Sequence, residues 1–166
     1  MSKITRKLEV AANAAIIIVC LLFVGILAQR YFYAPSNAKA EIPVGKNMKV
    51  SDVDFSKAEK TLVLAVSATC HFCSESAPFY QKITRETSST NLQIVAALPQ
   101  STSEGKEYLQ KLNVPISDIK QVSLNEINVS GTPTLILFDK EGKVVNYWVG
   151  KLSPEKEGEV LAKLKS

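Results

Sequence analysis

The chain has 166 residues, 22% of them charged, with seven prolines, seven glycines and three cysteines. That is one ordinary domain with an appendage, and three cysteines exclude a dense disulfide framework. The net charge of +4 is no nucleic-acid footprint: residues 1–33 set Lys3, Arg6, Lys7 and Arg30 against Glu9, residues 34–166 set sixteen basic side chains against fifteen acidic ones, and no basic stripe appears.

Residues 1–9 read as a short basic tail on the cytoplasmic side of a membrane. From Val10 to Ala28 no residue is charged and Asn13 is the one strongly polar side chain. A helix of that length crosses about 30 Å of hydrocarbon. Tyr31, Phe32 and Tyr33 follow at the level of an aromatic belt, so residues 10–33 read as a transmembrane anchor. With Lys3, Arg6 and Lys7 held inside, the body is expected outside the cytoplasm. A cleaved signal peptide is the alternative, with Ala38-Lys39-Ala40 as its A-x-A pattern. That pattern stands well beyond the apolar run, behind bulky aromatics, which favours an uncleaved anchor. Cys20 reads as a small apolar membrane residue, and a disulfide to a second copy has no support.

Residues 34–41 (APSNAKAE) form a small, polar linker, and residues 42–166 form the folded domain. Ile42 to Val53 is an irregular or strand-like lead-in. Thr61 to Ser67 (TLVLAVS) is a central strand buried on both faces. Ser74 to Thr87 reads as a helix with Ala77, Phe79, Tyr80 and Ile83 facing inward and a kink at Pro78. Leu92–Leu98 is a second buried strand. Ser101 to Glu104 caps a helix through Lys111, with Tyr108, Leu109 and Leu112 inward. Ile119–Leu124 is too short to assign. Thr134–Phe138, the turn Asp139–Gly142 and Lys143–Val149 form an antiparallel hairpin. Ser153-Pro154-Glu155 opens a last helix with Val160, Leu161 and Leu164 inward. The order predicts an α/β fold with a central mixed sheet.

Between the first strand and the first helix lies Cys70-His71-Phe72-Cys73. Two thiols at that spacing at a helix mouth can close into a disulfide with each other. The unpaired N–H groups there favour the attacking thiolate. This points to thiol–disulfide exchange in an oxidising compartment. Two plainer readings compete. A static bridge closing so small a loop restrains little of the unfolded chain. A closed metal site needs about four ligands, yet Cys20 lies in the apolar span and His71 is the sole histidine. No metal or other cofactor is expected beyond the cysteine pair.

The layout resembles the thioredoxin fold. Cys-x-x-Cys falls at the first strand-to-helix turn, Pro78 stands where that family kinks its active-site helix, and Gly131-Thr132-Pro133-Thr134 stands where it carries its cis-proline loop. With the anchor, the chain looks like a membrane-tethered, exported oxidoreductase of the TlpA-like or redoxin group. The resemblance implies Cys70 as nucleophile and Cys73 as resolving thiol. It implies Pro133 against the pair, with the backbone of Thr132 available to a substrate strand. Its implied partners are protein thiols and disulfides and a membrane or exported redox partner, with lipid contacted by the N-terminal helix. Two positions depart from the family: Thr69 replaces the usual Trp before the first cysteine, and Leu64 replaces a buried acid.

His71 and Phe72 are read as redox-tuning. A protonated imidazole stabilises the thiolate and makes the pair more oxidising, and Phe72 offers apolar surface to partners. Glu75 reads as a capping acid in the first helical turn, and Trp148 and Tyr80 as packing. Two other functions are weighed. A thiol peroxidase needs a Thr or Pro two or three residues before its cysteine and an arginine, whereas Ala68 and Thr69 precede Cys70 and Arg85 is the body's sole arginine. A copper-handling domain has two thiolates and an imidazole here, but no histidine outside the motif.

Overall fold

The computed structural model describes residues 16–25 and 41–166. The chain divides into two units, Met1–Ala38 and Lys39–Ser166. In the first, residues 16–25 are helical (α1), and Ile16, Leu21 and Phe23 are among its exposed apolar side chains. Among the described residues no helix is long and apolar enough to cross a membrane. The expected tail 1–9, the remainder of the expected span 10–33, and the linker up to residue 40 lie outside the described residues.

The second unit is built on a five-stranded sheet. Its strands are β1 (Lys60–Ala65), β2 (Leu92–Leu98), β3 (Asp118–Gln121), β4 (Thr134–Asp139) and β5 (Val144–Val149), in the order β3-β2-β1-β4-β5. β1 and β2 pair in parallel, as do β2 and β3, while β4 runs antiparallel to both β1 and β5. The expected mixed sheet is therefore present. β3 is the strand that local pattern does not announce: it has four residues, of which only Ile119 is buried. Its place comes from pairing, Val95 with Asp118 through Leu98 with Gln121.

The helices are α2 (His71–Glu75), α3 (Ala77–Glu86), α4 (Thr102–Lys111) and α5 (Pro154–Lys165). The single helix expected over Ser74–Thr87 starts earlier and is broken into α2 and α3 at Ser76. Pro78 has no N–H, and its ring would clash with the Ser74 carbonyl four residues back. The interruption therefore falls before the proline, which becomes part of the first turn of α3. α4 opens with the expected capping box, Ser101 Oγ accepting the Glu104 N–H at 3.3 Å and Glu104 Oε2 accepting the Ser101 N–H at 3.0 Å.

Alternation along the strands sorts the interior into two layers. Leu62, Leu64, Ala96, Leu98, Leu135 and Leu137 face the helices, where Tyr80, Ile83, Leu109, Leu161 and Leu164 pack. Val63, Ala65, Val95, Ala97, Ile136 and Phe138 face the other way. That side is covered by the lead-in through Ile42, Met48 and Val50, and by Val122, Ile127 and Val129. The lead-in is irregular, touching the sheet through one isolated bridge, Asn47 with Lys143. A 3-10 turn, Phe55–Lys57, follows it. The hairpin turns at Gly142, whose φ of +76° favours glycine and where a Cβ would meet the Phe55 ring at 2.9 Å.

Candidate active site

The site is assembled where β1 ends. Val66 is still tied to the sheet, donating to the Ala97 carbonyl at 3.0 Å, and the chain then turns, the Cys70 N–H donating to the Ser67 carbonyl at 3.1 Å. This delivers Cys70 as the N-cap of α2, with extended backbone and its sulfur accepting the Cys73 N–H at 3.2 Å. The sulfur occupies the position of a capping oxygen and satisfies one otherwise unpaired helix N–H. Because α2 has only five residues, individual N–H groups do this rather than the summed dipole of a long helix.

Cys70 and Cys73 are free thiols here, and they differ sharply. Partial burial pushes the Cys70 thiol up, but hydrogen bonds involving Cys73, the Thr132 side chain and the backbone of Cys73 and Phe72 outweigh it. They leave Cys70 below the ordinary thiol value. Cys73 is 0% exposed. Burial pushes its thiol up to about 12, the Cys70 sulfur adds to the rise, and the Ser67 backbone and Thr132 oppose it.

Facing the pair is the loop before β4. The Thr132–Pro133 peptide bond is cis, and the Cys70 thiol donates to the Thr132 carbonyl at 3.3 Å. The loop is held by the Gly150 N–H donating to the Pro133 carbonyl at 2.7 Å and by Thr134 Oγ1 donating to the Gly131 carbonyl at 2.7 Å. Cys70, Cys73, Thr132 and Pro133 are thus brought together from segments about 60 residues apart in sequence, the long closure that β1–β4 pairing makes possible.

The two residues between the cysteines point outward. Phe72 is 57% exposed beside Cys70. His71 extends along α2, its Nε2 lying 3.0 Å from Glu75 Oε1, and the other Glu75 oxygen lies 3.0 Å from Lys151 Nζ. Glu75 is therefore not the capping acid expected in the first turn. It is the last residue of α2, because the helix begins at His71, and its carboxyl is held below the usual range by Lys151 and then His71. Leu64 is buried in the helix-facing layer, so no carboxylate lies at that position beneath the pair. Trp148 packs in the same layer, as expected.

Three contributors are not legible from motif spacing. The Gln100 side chain donates to Ser67 Oγ at 3.0 Å and accepts from the Ala68 N–H at 3.4 Å, bracing the active-site turn from the end of β2. Tyr108 from α4 reaches Ser74 Oγ at 3.3 Å. Tyr80 is packed, as expected, but its hydroxyl is buried without a partner. The position of Gln100 just past the end of a parallel strand neighbouring β1 is the one available sequence signal, since such ends gather at sites.

A cleft of about 360 Å³ lies behind the proline loop, lined in part by Asn128, Ser130, Thr134 and Tyr147, and neither cysteine lines it. Among the described residues no group of three or more His, Cys, Asp or Glu side chains is placed to hold a metal. Arg85 lies in the last turn of α3, at the end away from the cysteines.

A mixed sheet whose first strand delivers an N-capping cysteine and whose fourth is preceded by a cis-proline loop defines a thioredoxin-like architecture. Residues 53–165 match the family model described as a thioredoxin-like domain, and the chain belongs to that family. Solved structures agree on the fold. A thiol-disulfide isomerase from Corynebacterium glutamicum is 16% identical, with a TM-score of 0.56 over 76% of this chain and 94% of that one. The thioredoxin domain of a thiol-disulfide oxidoreductase from Bacteroides vulgatus is 19% identical, with a TM-score of 0.59 over 76% of this chain and 100% of that one. A thiol:disulfide interchange protein from a Bacteroides species is 17% identical, with a TM-score of 0.59 over 75% and 92%. Among curated proteins none matches.

Proposed function

We propose that this chain is a membrane-anchored, extracytoplasmic thiol–disulfide oxidoreductase of the TlpA-like or redoxin type, exchanging disulfides with protein substrates through Cys70-His71-Phe72-Cys73. The observation that carries the reading is the division between two adjacent sulfurs. Cys70 is accessible and held below the ordinary thiol value, and Cys73 is buried and pushed up to about 12. The first is poised to attack and to leave; the second stays protonated until it is needed.

In the reducing direction the Cys70 thiolate attacks a substrate disulfide, forms a mixed disulfide and releases one substrate thiol. Cys73 then attacks Cys70, closing the Cys70–Cys73 disulfide and releasing the second thiol. The reverse sequence donates a disulfide. The open setting, with exposed Phe72 on one side and Thr132-Pro133 on the other, suits a polypeptide segment laid across the pair. A second exported or membrane redox protein returns the pair to its starting state. His71 and Phe72 tune the potential, His71 while its Nε2 lies 3.0 Å from Glu75 Oε1.

The anchor rests on the uncharged stretch Val10–Ala28 with its basic N-terminal flank. The helix at residues 16–25 with exposed apolar side chains supports it. The purified full chain is expected to exchange a model protein disulfide, Cys70→Ser to abolish exchange, and Cys73→Ser to accumulate the mixed disulfide. Full activity in Cys70→Ser refutes the assignment. A membrane-impermeant thiol reagent should label Cys70 in intact cells; labelling only after permeabilisation refutes the exported topology.

A further inference from the structure

Tyr80 is 1% exposed, and its hydroxyl is the one buried side-chain nitrogen or oxygen among the described residues without a hydrogen bond. An unpaired buried hydroxyl is destabilising, and each such group in a folded protein asks for a reason. Ser76 and Tyr108 are its polar neighbours, and neither is placed to complete a hydrogen bond with it. The Ser76 hydroxyl, one turn earlier, donates to the Phe72 carbonyl at 2.8 Å, and the Tyr108 hydroxyl pairs with Ser74 Oγ at 3.3 Å.

The break at Ser76 starts α3 directly beneath the redox turn, so Tyr80 lies in the same buried cluster as Cys73, Ala77, Leu64 and Tyr108. Among the described residues no carboxylate side chain is buried. Burial raises the Tyr80 hydroxyl far above the ordinary phenol value, and charge on the Cys73 sulfur is the next cause. The phenol therefore keeps its proton, in the same buried cluster as a thiol that must become an anion to react.

We propose that the Tyr80 hydroxyl is the hydrogen-bond donor that meets the Cys73 sulfur as negative charge develops on it. The inference rests on the exchange reading above. In the mixed disulfide, Cys70 Sγ is bonded to a substrate sulfur. Cys73 gives up its proton, its sulfur forms a bond to Cys70 Sγ, and the bond from Cys70 to the substrate breaks. The electron pair leaves on the substrate sulfur, which takes up a proton, so Cys73 is oxidised from thiol to disulfide and the substrate sulfur is reduced, while Cys70 passes from one disulfide to another. Tyr80 keeps its own proton throughout. In the reverse direction Cys73 is the leaving group, and the same donor stabilises it.

The test uses the reduced full chain and an aromatic disulfide whose thiol product is coloured, so that attack by Cys70 and resolution by Cys73 give separate phases. Tyr80→Phe removes only the hydroxyl. The first phase should be unchanged and the second about tenfold slower or more, the loss of one hydrogen bond to a charged group. The unfolding midpoint should be no lower than in the wild type. In a Cys70→Ser background, ultraviolet titration should find the Cys73 thiolate forming at higher pH once Tyr80 is Phe. Equal second-phase rates overturn the proposal, and so does a lower midpoint, which would give the hydroxyl a structural role. A wild-type chain with no second phase overturns the exchange reading instead.

Discussion

Selective alkylation puts the asymmetry of the two thiols to a quantitative test. Cys73 is raised from the 9.0 of an ordinary thiol to about 12. At neutral pH its thiolate fraction is then about a thousandfold smaller than that of an ordinary thiol. A thiolate of higher pKa is also more nucleophilic, which returns about twentyfold of that. Chemistry alone thus slows Cys73 about fiftyfold, and its burial slows it further. Cys70 moves the other way, because hydrogen bonds from the Cys73 and Thr132 side chains, and then from the N–H groups of Cys73 and Phe72, favour its anion and outweigh its partial burial. The reduced full chain, treated with limiting iodoacetamide near pH 7 and mapped by peptide mass spectrometry, should carry the adduct on Cys70 at least about fiftyfold faster than on Cys73. The Cys20 peptide is scored separately. Alkylation of Cys73 within tenfold of Cys70 would refute the argument that burial, rather than spacing, sets the division of labour.

Stability against pH should differ between the dithiol and disulfide forms. Cys73 in the folded dithiol keeps its proton between 9.0 and about 12 while the unfolded chain loses it. The dithiol should therefore lose about 1.4 kcal/mol per pH unit over that window relative to the disulfide form. Cys70, with its folded value lowered, contributes the opposite slope below 9.0. Urea unfolding of both forms measures the difference, and parallel curves would contradict it. At Gly105 in α4 an added Cβ would meet Ile119 Cγ2 at 3.0 Å and Leu98 Cδ1 at 3.2 Å. Gly105→Ala should be destabilised by about 1 kcal/mol, overpacking of about 1–3 kcal/mol outweighing a helix-propensity gain of about 1. A higher unfolding midpoint would show that α4 stands off the sheet without cost.

Much of this protein follows from short-range pattern. Continuous β-branched and apolar runs declare β1, β2 and β4 because strands buried on both faces have no polar positions to interrupt them. Ser101 and Glu104 declare the start of α4 because capping is a local exchange of hydrogen bonds. The Cys70–Cys73 spacing declares a reactive site by residue type, whereas Thr132-Pro133 is assigned to it only through the resemblance to the thioredoxin fold. What pattern does not carry is whatever depends on a partner far along the chain. β3 exists because β2 offers it a hydrogen-bonding edge, and the Glu75 carboxylate meets Lys151 because the segment after β5 returns beside α2. Whether a thiol is acidic or inert, and whether a tyrosine hydroxyl has a partner, is set by the packing and desolvation of atoms from several elements, and only the folded chain assembles those surroundings.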